Sequence, residues 1–155
     1  MKRFHVHLNV KDLQQNIAFY TALFGQSPVR EESDYAKWHL DDPAINFAIS
    51  TRQGTEGVDH LGLQVDNAQD LQVNKERARQ ADMSMLDEGT TTCCYSRSDK
   101  YWITDPQGIA WEQFHTLEGI PTFNEAKPVA DATAAPACCA PKAANSPGKT
   151  TSSCC

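Results

Sequence analysis

HVHLNVKD at residues 5–12 returns as HLGLQVDN at residues 60–67, and both copies fit the pattern His-x-x-Leu-x-Val-x-Asp/Asn. Each copy reads as a strand running into a capped helix. In the first, Phe4, Val6, Leu8 and Val10 alternate with His5, His7 and Asn9, the period of two that marks a half-buried strand. Asp12 stands where an N-cap belongs, with Gln15 three residues on as in a capping box. Leu13, Ile17, Tyr20 and Phe24 follow at helical spacing, and Gly25 is placed to end the helix. In the second copy Asn67 caps a helix to about Ala81, with Leu71 and Ala78 on its buried side.

Strand-like text follows each helix. The first module offers Tyr35–Leu40 and Ile45–Ser50 around a turn at Asp41, Asp42 and Pro43. The second offers a strand from Cys94 and Tyr95 onward, then Lys100–Thr104 and Ala110–Phe114 around a turn at Asp105–Gly108. The order is β-α-β-β-β, twice, over about residues 1–52 and 56–117 of one domain at 1–120. The expected fold class is therefore α+β, two βαβββ modules curling into an open barrel with a concave surface for a ligand.

Period two also chooses what faces that concavity. With Val6, Leu8 and Val10 under the helix, His5, His7 and Asn9 point the other way, and so do His60, Gly62 and Gln64. Ala110, Glu112 and Phe114 share one face of the last strand, opposite Trp111. Two histidines at equivalent module positions and one carboxylate then converge as a facial triad with open coordination positions. That donor set suits Fe(II), while Zn, Ni, Mn and Co accept similar sets. Aligning the turns at Pro43 and Pro106, with one extra residue in the second, sets Ala48 opposite Glu112, so a closed four-ligand site is not expected. A lone strand histidine is usually a hydrogen-bonded surface or core residue, and His39 and His115 are read that way. His7 shares a face with His5 and stands as the alternative ligand; the repeat favours His5 because it pairs with His60.

The bulk numbers set the remaining bounds. At 155 residues the chain carries a net charge of −6 and no basic stripe, which argues against nucleic acid. No apolar run approaches the roughly 20 residues of a membrane helix. His5, His7 and Asn9 break up any apolar signal core behind the basic start, so a cytoplasmic address is expected. All six cysteines occur as neighbours: Cys93–Cys94, Cys138–Cys139 and Cys154–Cys155. Adjacent cysteines close almost no loop, so stapling is the wrong reading, and two neighbouring thiols suit a soft, thiophilic atom. Residues 126–155 are rich in Ala, Pro, Ser, Thr and Lys; a stretch that cannot bury apolar surface is expected to be a disordered tail carrying two dithiols.

FHVHLNVKDLQQNIAFYTALFG, VDHLGLQVDN and WITDPQGIAWEQF together resemble the signature segments of the vicinal-oxygen-chelate superfamily, which includes glyoxalase I, extradiol dioxygenases and bleomycin-resistance proteins. The resemblance covers about residues 2–117 and puts metal ligands on His5, His60 and Glu112. DEGTTTCCYSRSDKYWITDPQGIAWEQF, with the cysteine-pair tail, is similar to the organoarsenical carbon–arsenic lyases and the cadmium-induced proteins grouped with them. That likeness implies Fe(II)- and O2-dependent cleavage of trivalent organoarsenicals such as methylarsenite, with Cys93 and Cys94 as the arsenic-binding dithiol. The first ligand position in that family can be a residue other than histidine; here it is His5. Two rivals follow: a glyoxalase-like isomerase, against which Ala48 speaks, and a non-catalytic protein that sequesters arsenic or cadmium. Both modules lie in one chain, so a monomeric site is the default, with a homodimer left open.

Overall fold

The computed structural model describes residues 2–52 and 55–121. The expected tail at 126–155, with Cys138–Cys139 and Cys154–Cys155, lies outside the described residues. Ten elements follow in order: β1 (Arg3–Asn9), α1 (Leu13–Phe24), β2 (Arg30–Glu32), β3 (Tyr35–Asp41), β4 (Ala44–Ser50), β5 (Gly57–Val65), α2 (Ala68–Gln80), β6 (Met85–Cys93), β7 (Ser96–Thr104) and β8 (Ala110–Gly119). This is βαβββ twice.

Both helices begin and end for local reasons. The Asp12 carboxylate accepts the Gln15 amide at 2.9 Å, and Asn67 accepts the Asp70 amide at 2.8 Å, each satisfying a donor that the first turn leaves without a partner. Gly25 closes α1 in the left-handed region at φ 68°, where a side chain would clash. Under α1, Leu13 and Ile17 pack with Trp38, Phe47 and Ile49, and Val6, Leu8 and Val10 join them from β1. Under α2, Leu71 packs with Val65 and Tyr101. Tyr101 is thus a core residue of the second module.

All strands join one eight-stranded sheet in the order β2-β3-β4-β1-β5-β8-β7-β6. The modules meet where β1 pairs antiparallel with β5, so the two histidine-bearing strands lie side by side. Register settles the module correspondence: His7 faces Ala48 across β1–β4 as Gly62 faces Glu112 across β5–β8. Ala48 therefore occupies the position equivalent to Glu112.

The hairpin before β7 departs from expectation. The strand does not run on from Cys94 and Tyr95; β6 ends at Cys93, and Cys94 (φ 55°) with Tyr95 (φ 60°) form the two-residue turn. Two successive left-handed residues make the turn that matches strand twist, a role normally filled by Asn-Gly. Side chains there cost about 1–2 kcal/mol per residue. Tyr95 is held in place from the first module. Its hydroxyl donates to Asp34 at 2.9 Å, Arg30 donates to its carbonyl at 3.1 Å, and the Arg30 guanidinium lies 4.7 Å from its ring centre.

Candidate functional site

β1, β5 and β8 lie next to one another in the sheet and bring His5, His60 and Glu112 into one cavity. The Nε2 atoms of His5 and His60 are 3.1 Å apart, and each lies 3.6 Å from Glu112 Oε2. Every far side of this triangle is tied down. His5 Nδ1 donates to the Asn46 carbonyl at 2.9 Å, and His60 Nδ1 to Asp59 Oδ2 at 2.6 Å. A carbonyl accepts only, so His5 is the Nδ1–H tautomer with its Nε2 lone pair turned inward; Asp59 imposes the same on His60. Phe114 stands edge-on to His5 at 5.2 Å and Trp102 edge-on to His60 at 5.1 Å.

Two inward lone pairs and a carboxylate oxygen repel one another unless a proton on His60 Nε2 or a metal cation sits between them. A divalent ion about 2.0–2.2 Å from each donor spans edges of this length, and histidines whose other nitrogen is donated to a carbonyl or carboxylate are the form metal ligands take. The donor set fits a metal.

Charge is arranged to the same end. Burial, helped by the neighbouring His60, pushes the His5 imidazole down to about 4, so it is neutral near pH 7. Burial also works against charge on His60, but the Asp59 hydrogen bond and the Glu112 carboxylate outweigh it and raise that ring above its ordinary value. For Glu112, burial alone would favour the acid; the Lys100 ammonium and His60 overcome it and hold the carboxyl well below its usual range. Lys100 Nζ donates to Glu112 Oε1 at 3.0 Å and also approaches Glu88 at 3.5 Å, which leaves Oε2 for the histidines.

Cys93 and Cys94 line the same cavity as reduced thiols with sulfurs 3.1 Å apart. The cavity has a volume of about 40 Å³. Ala48, Trp102 and Phe114 also line it.

Of the residues read from sequence, His5, His60, Glu112, Cys93 and Cys94 come together. His7 lies outside the triangle: its Nε2 pairs with Ser50 Oγ at 2.9 Å, and its ring stands edge-on to His60. His115 pairs with the Val65 carbonyl, and neither it nor His39 lines the cavity. Sequence reading missed Lys100, Asp59 and Asn46. Residues 2–113 match the Glyoxalase/Bleomycin resistance protein/Dioxygenase superfamily. The chain belongs to that superfamily. Within it, the chain is 40% identical to the trivalent organoarsenical cleaving enzyme of Bacillus sp. (strain MD1), over 100% of this chain and 99% of that one. It is 34% identical to the cadmium-induced protein CadI of Mycobacterium bovis, over 79% and 82% of the two chains. The Mn(II)-bound glyoxalase from Novosphingobium aromaticivorans shares the superfamily fold with a TM-score of 0.56 at 19% identity, over 82% of this chain and 44% of that one. Among the described residues, no helix is long and apolar enough to cross a membrane.

Proposed function

We propose that this superfamily member is a non-haem Fe(II)-dependent enzyme of the dioxygenase type that uses O2 to cleave the carbon–arsenic bond of trivalent organoarsenicals such as methylarsenite, releasing arsenite. The methyl group leaves as formaldehyde, so that CH3As(OH)2 and O2 give As(OH)3 and CH2O. The observation that carries the reading is the shared cavity: the His5–His60–Glu112 triangle and the Cys93–Cys94 dithiol line one small space. Full-length similarity to an enzyme named for that cleavage supports the same substrate class. Among the divalent ions such donors accept, ferrous iron is the one that supplies O2 activation when bound.

The chain's own residues do the rest. Trivalent arsenic is soft and carries two exchangeable hydroxyls. Each thiol forms an As–S bond as an As–OH bond breaks, its proton leaves with the hydroxide as water, and the organic group stays on arsenic. Sulfurs 3.1 Å apart allow one arsenic atom to bridge them. A cavity of about 40 Å³ admits a methyl-sized group beside the triangle, against the Trp102 and Phe114 rings that line it. Lys100, by engaging Glu112 Oε1, keeps the carboxylate turned toward the histidines.

Arsenic speciation tests this. Reduced, Fe(II)-loaded protein mixed with methylarsenite in air is expected to yield arsenite, with no yield under nitrogen or in Glu112→Gln. Unchanged methylarsenite held stoichiometrically by cysteines would replace catalysis with sequestration.

A further inference from the structure

Beside the triangle lies a second buried cluster, His7, Asp59 and His60, whose donor atoms also converge. It shares His60 with the first, through the other ring nitrogen. The geometry identifies it as a hydrogen-bond network and not a second metal site, because the Asp59 Oδ2 to His60 Nδ1 distance of 2.6 Å is that of a charge-assisted hydrogen bond with the proton between the two atoms.

Asp59 should not be there. In an unbroken strand it would point away from the face that His60 occupies. Across β1–β5, however, His7 pairs with His60 while Leu8 pairs with Val58, so Asp59 is the extra residue of a β-bulge. Bulges re-aim side chains next to functional sites, and this one turns the Asp59 carboxylate to the cavity side. There Asn9 Nδ2 donates to Asp59 Oδ1 at 2.9 Å. The direction of the network follows from its far end. Ser50 Oγ donates to Asn9 Oδ1 across a long 3.4 Å, which fixes the Asn9 amide, and His7 donates from Nε2 to Ser50 at 2.9 Å. Asn9 therefore has only its amino group to offer Asp59, and Asp59 has one oxygen left for His60. His7 and His60 end up as opposite tautomers on neighbouring strands.

We propose that Asp59 is the positioning residue of the metal centre: presented by the β-bulge and anchored by Asn9, it fixes His60 in the one tautomer that turns a lone pair toward His5 and Glu112. The inference rests on the reading that His5, His60 and Glu112 hold the metal. Without Asp59 the ring is free to carry its proton on Nε2, where an N–H would point at the donor triangle and exclude a cation. The second nitrogen of His5 is held by a backbone carbonyl, so no substitution of a side chain frees it; His60 is the ligand whose tautomer depends on a replaceable residue.

The test uses the full chain with Co(II) as the probe, titrated anaerobically by absorption, and nitrogen NMR of the histidine rings in metal-free protein. In the unaltered chain, read at alkaline pH where the raised His60 ring has lost its second proton, a single Nδ1–H tautomer is expected. In Asp59→Asn and Asp59→Ala the ring is expected to populate Nε2–H, and Co(II) affinity to fall about 10- to 100-fold. Variants that keep the single Nδ1–H tautomer and bind Co(II) as tightly as the unaltered chain overturn the proposal. Should neither variant fold, Asn9→Ala keeps the carboxylate and the bulge but frees their orientation. Weaker binding with mixed His60 tautomers there supports the proposal, and unchanged binding overturns it. An unaltered chain that fails to bind Co(II) overturns the ligand reading itself, which separates the two failures.

Discussion

Replacing Lys100 with methionine removes a charge that the site has buried almost completely. Lys100 is 2% exposed, and the Glu112 and Glu88 side chains it serves are 11% and 13% exposed. Methionine fills a similar volume, so the cost is mostly that of two carboxylates left without their cation. Removing one partner of a buried ion pair costs about 3–5 kcal/mol. For a domain of this size each kcal/mol moves the thermal midpoint by about 3–5 °C, giving a fall of roughly 10–20 °C. The assay is thermal and urea unfolding of metal-free protein in the presence of a chelator. A double-mutant cycle identifies the cause: in a Glu112→Gln background, Lys100→Met should cost no more than about half as much, since only Glu88 stays uncompensated. A loss below about 1 kcal/mol, the scale of a surface pair, would refute the reasoning. So would an equal loss in both backgrounds, because Lys100 would then stabilise the fold without its pairing to Glu112.

Other substitutions probe the remaining parts. Gly62→Ala places a Cβ against the Glu112 carbonyl, in the gap between β5 and β8; urea unfolding should show a loss of about 1–3 kcal/mol, and Co(II) titration should show weakened binding. Cys94→Ser removes one arm of the dithiol, so methylarsenite retained through gel filtration should fall by about 10²-fold or more in affinity. The Asp34 carboxyl is held below its ordinary value by its Arg52 hydrogen bond and by Tyr95, against a smaller effect of burial. A lowered carboxyl contributes stability above its unfolded pKa, about 3.9, and loses it as pH falls through the folded value. Amide protection factors in the β6–β7 hairpin, which remove the intrinsic pH dependence of exchange, should therefore hold from neutral pH to about 4 and fall below. Because the Asp34 side chain is more than a third exposed, the effect is local and small.

What the sequence disclosed was governed by periodicity. In β1 and β5 polar and apolar residues alternate, so period two assigned His5, His60 and their neighbours to the correct face. The repeated motif did the same for the correspondence of Ala48 with Glu112. Where alternation fails, so did the reading. β7 is buried on both faces, and Lys100 looks like a solvent-facing charge until Glu112 on the next strand is seen beside it. Tyr101 and Trp102 are adjacent and equally apolar; only their contacts show that one packs under α2 and the other lines the cavity. Asp59 was hidden by the bulge, which breaks the very alternation used to place His60. Cysteine and tyrosine are strand formers, so Cys94 and Tyr95 read as the start of a strand when tertiary contacts had made them a turn.

β8 is the last strand of the described chain, yet it lies inside the sheet, between β5 and β7. A nascent polypeptide that has released β1 and β5 from the ribosome already displays both histidines, but it has neither the carboxylate nor the wall that β8 supplies. Assembly of the donor triangle therefore waits for β8, which enters parallel to β5 and antiparallel to β7. A chain that stops upstream of residue 110 lacks Glu112 and with it the third corner of the donor triangle.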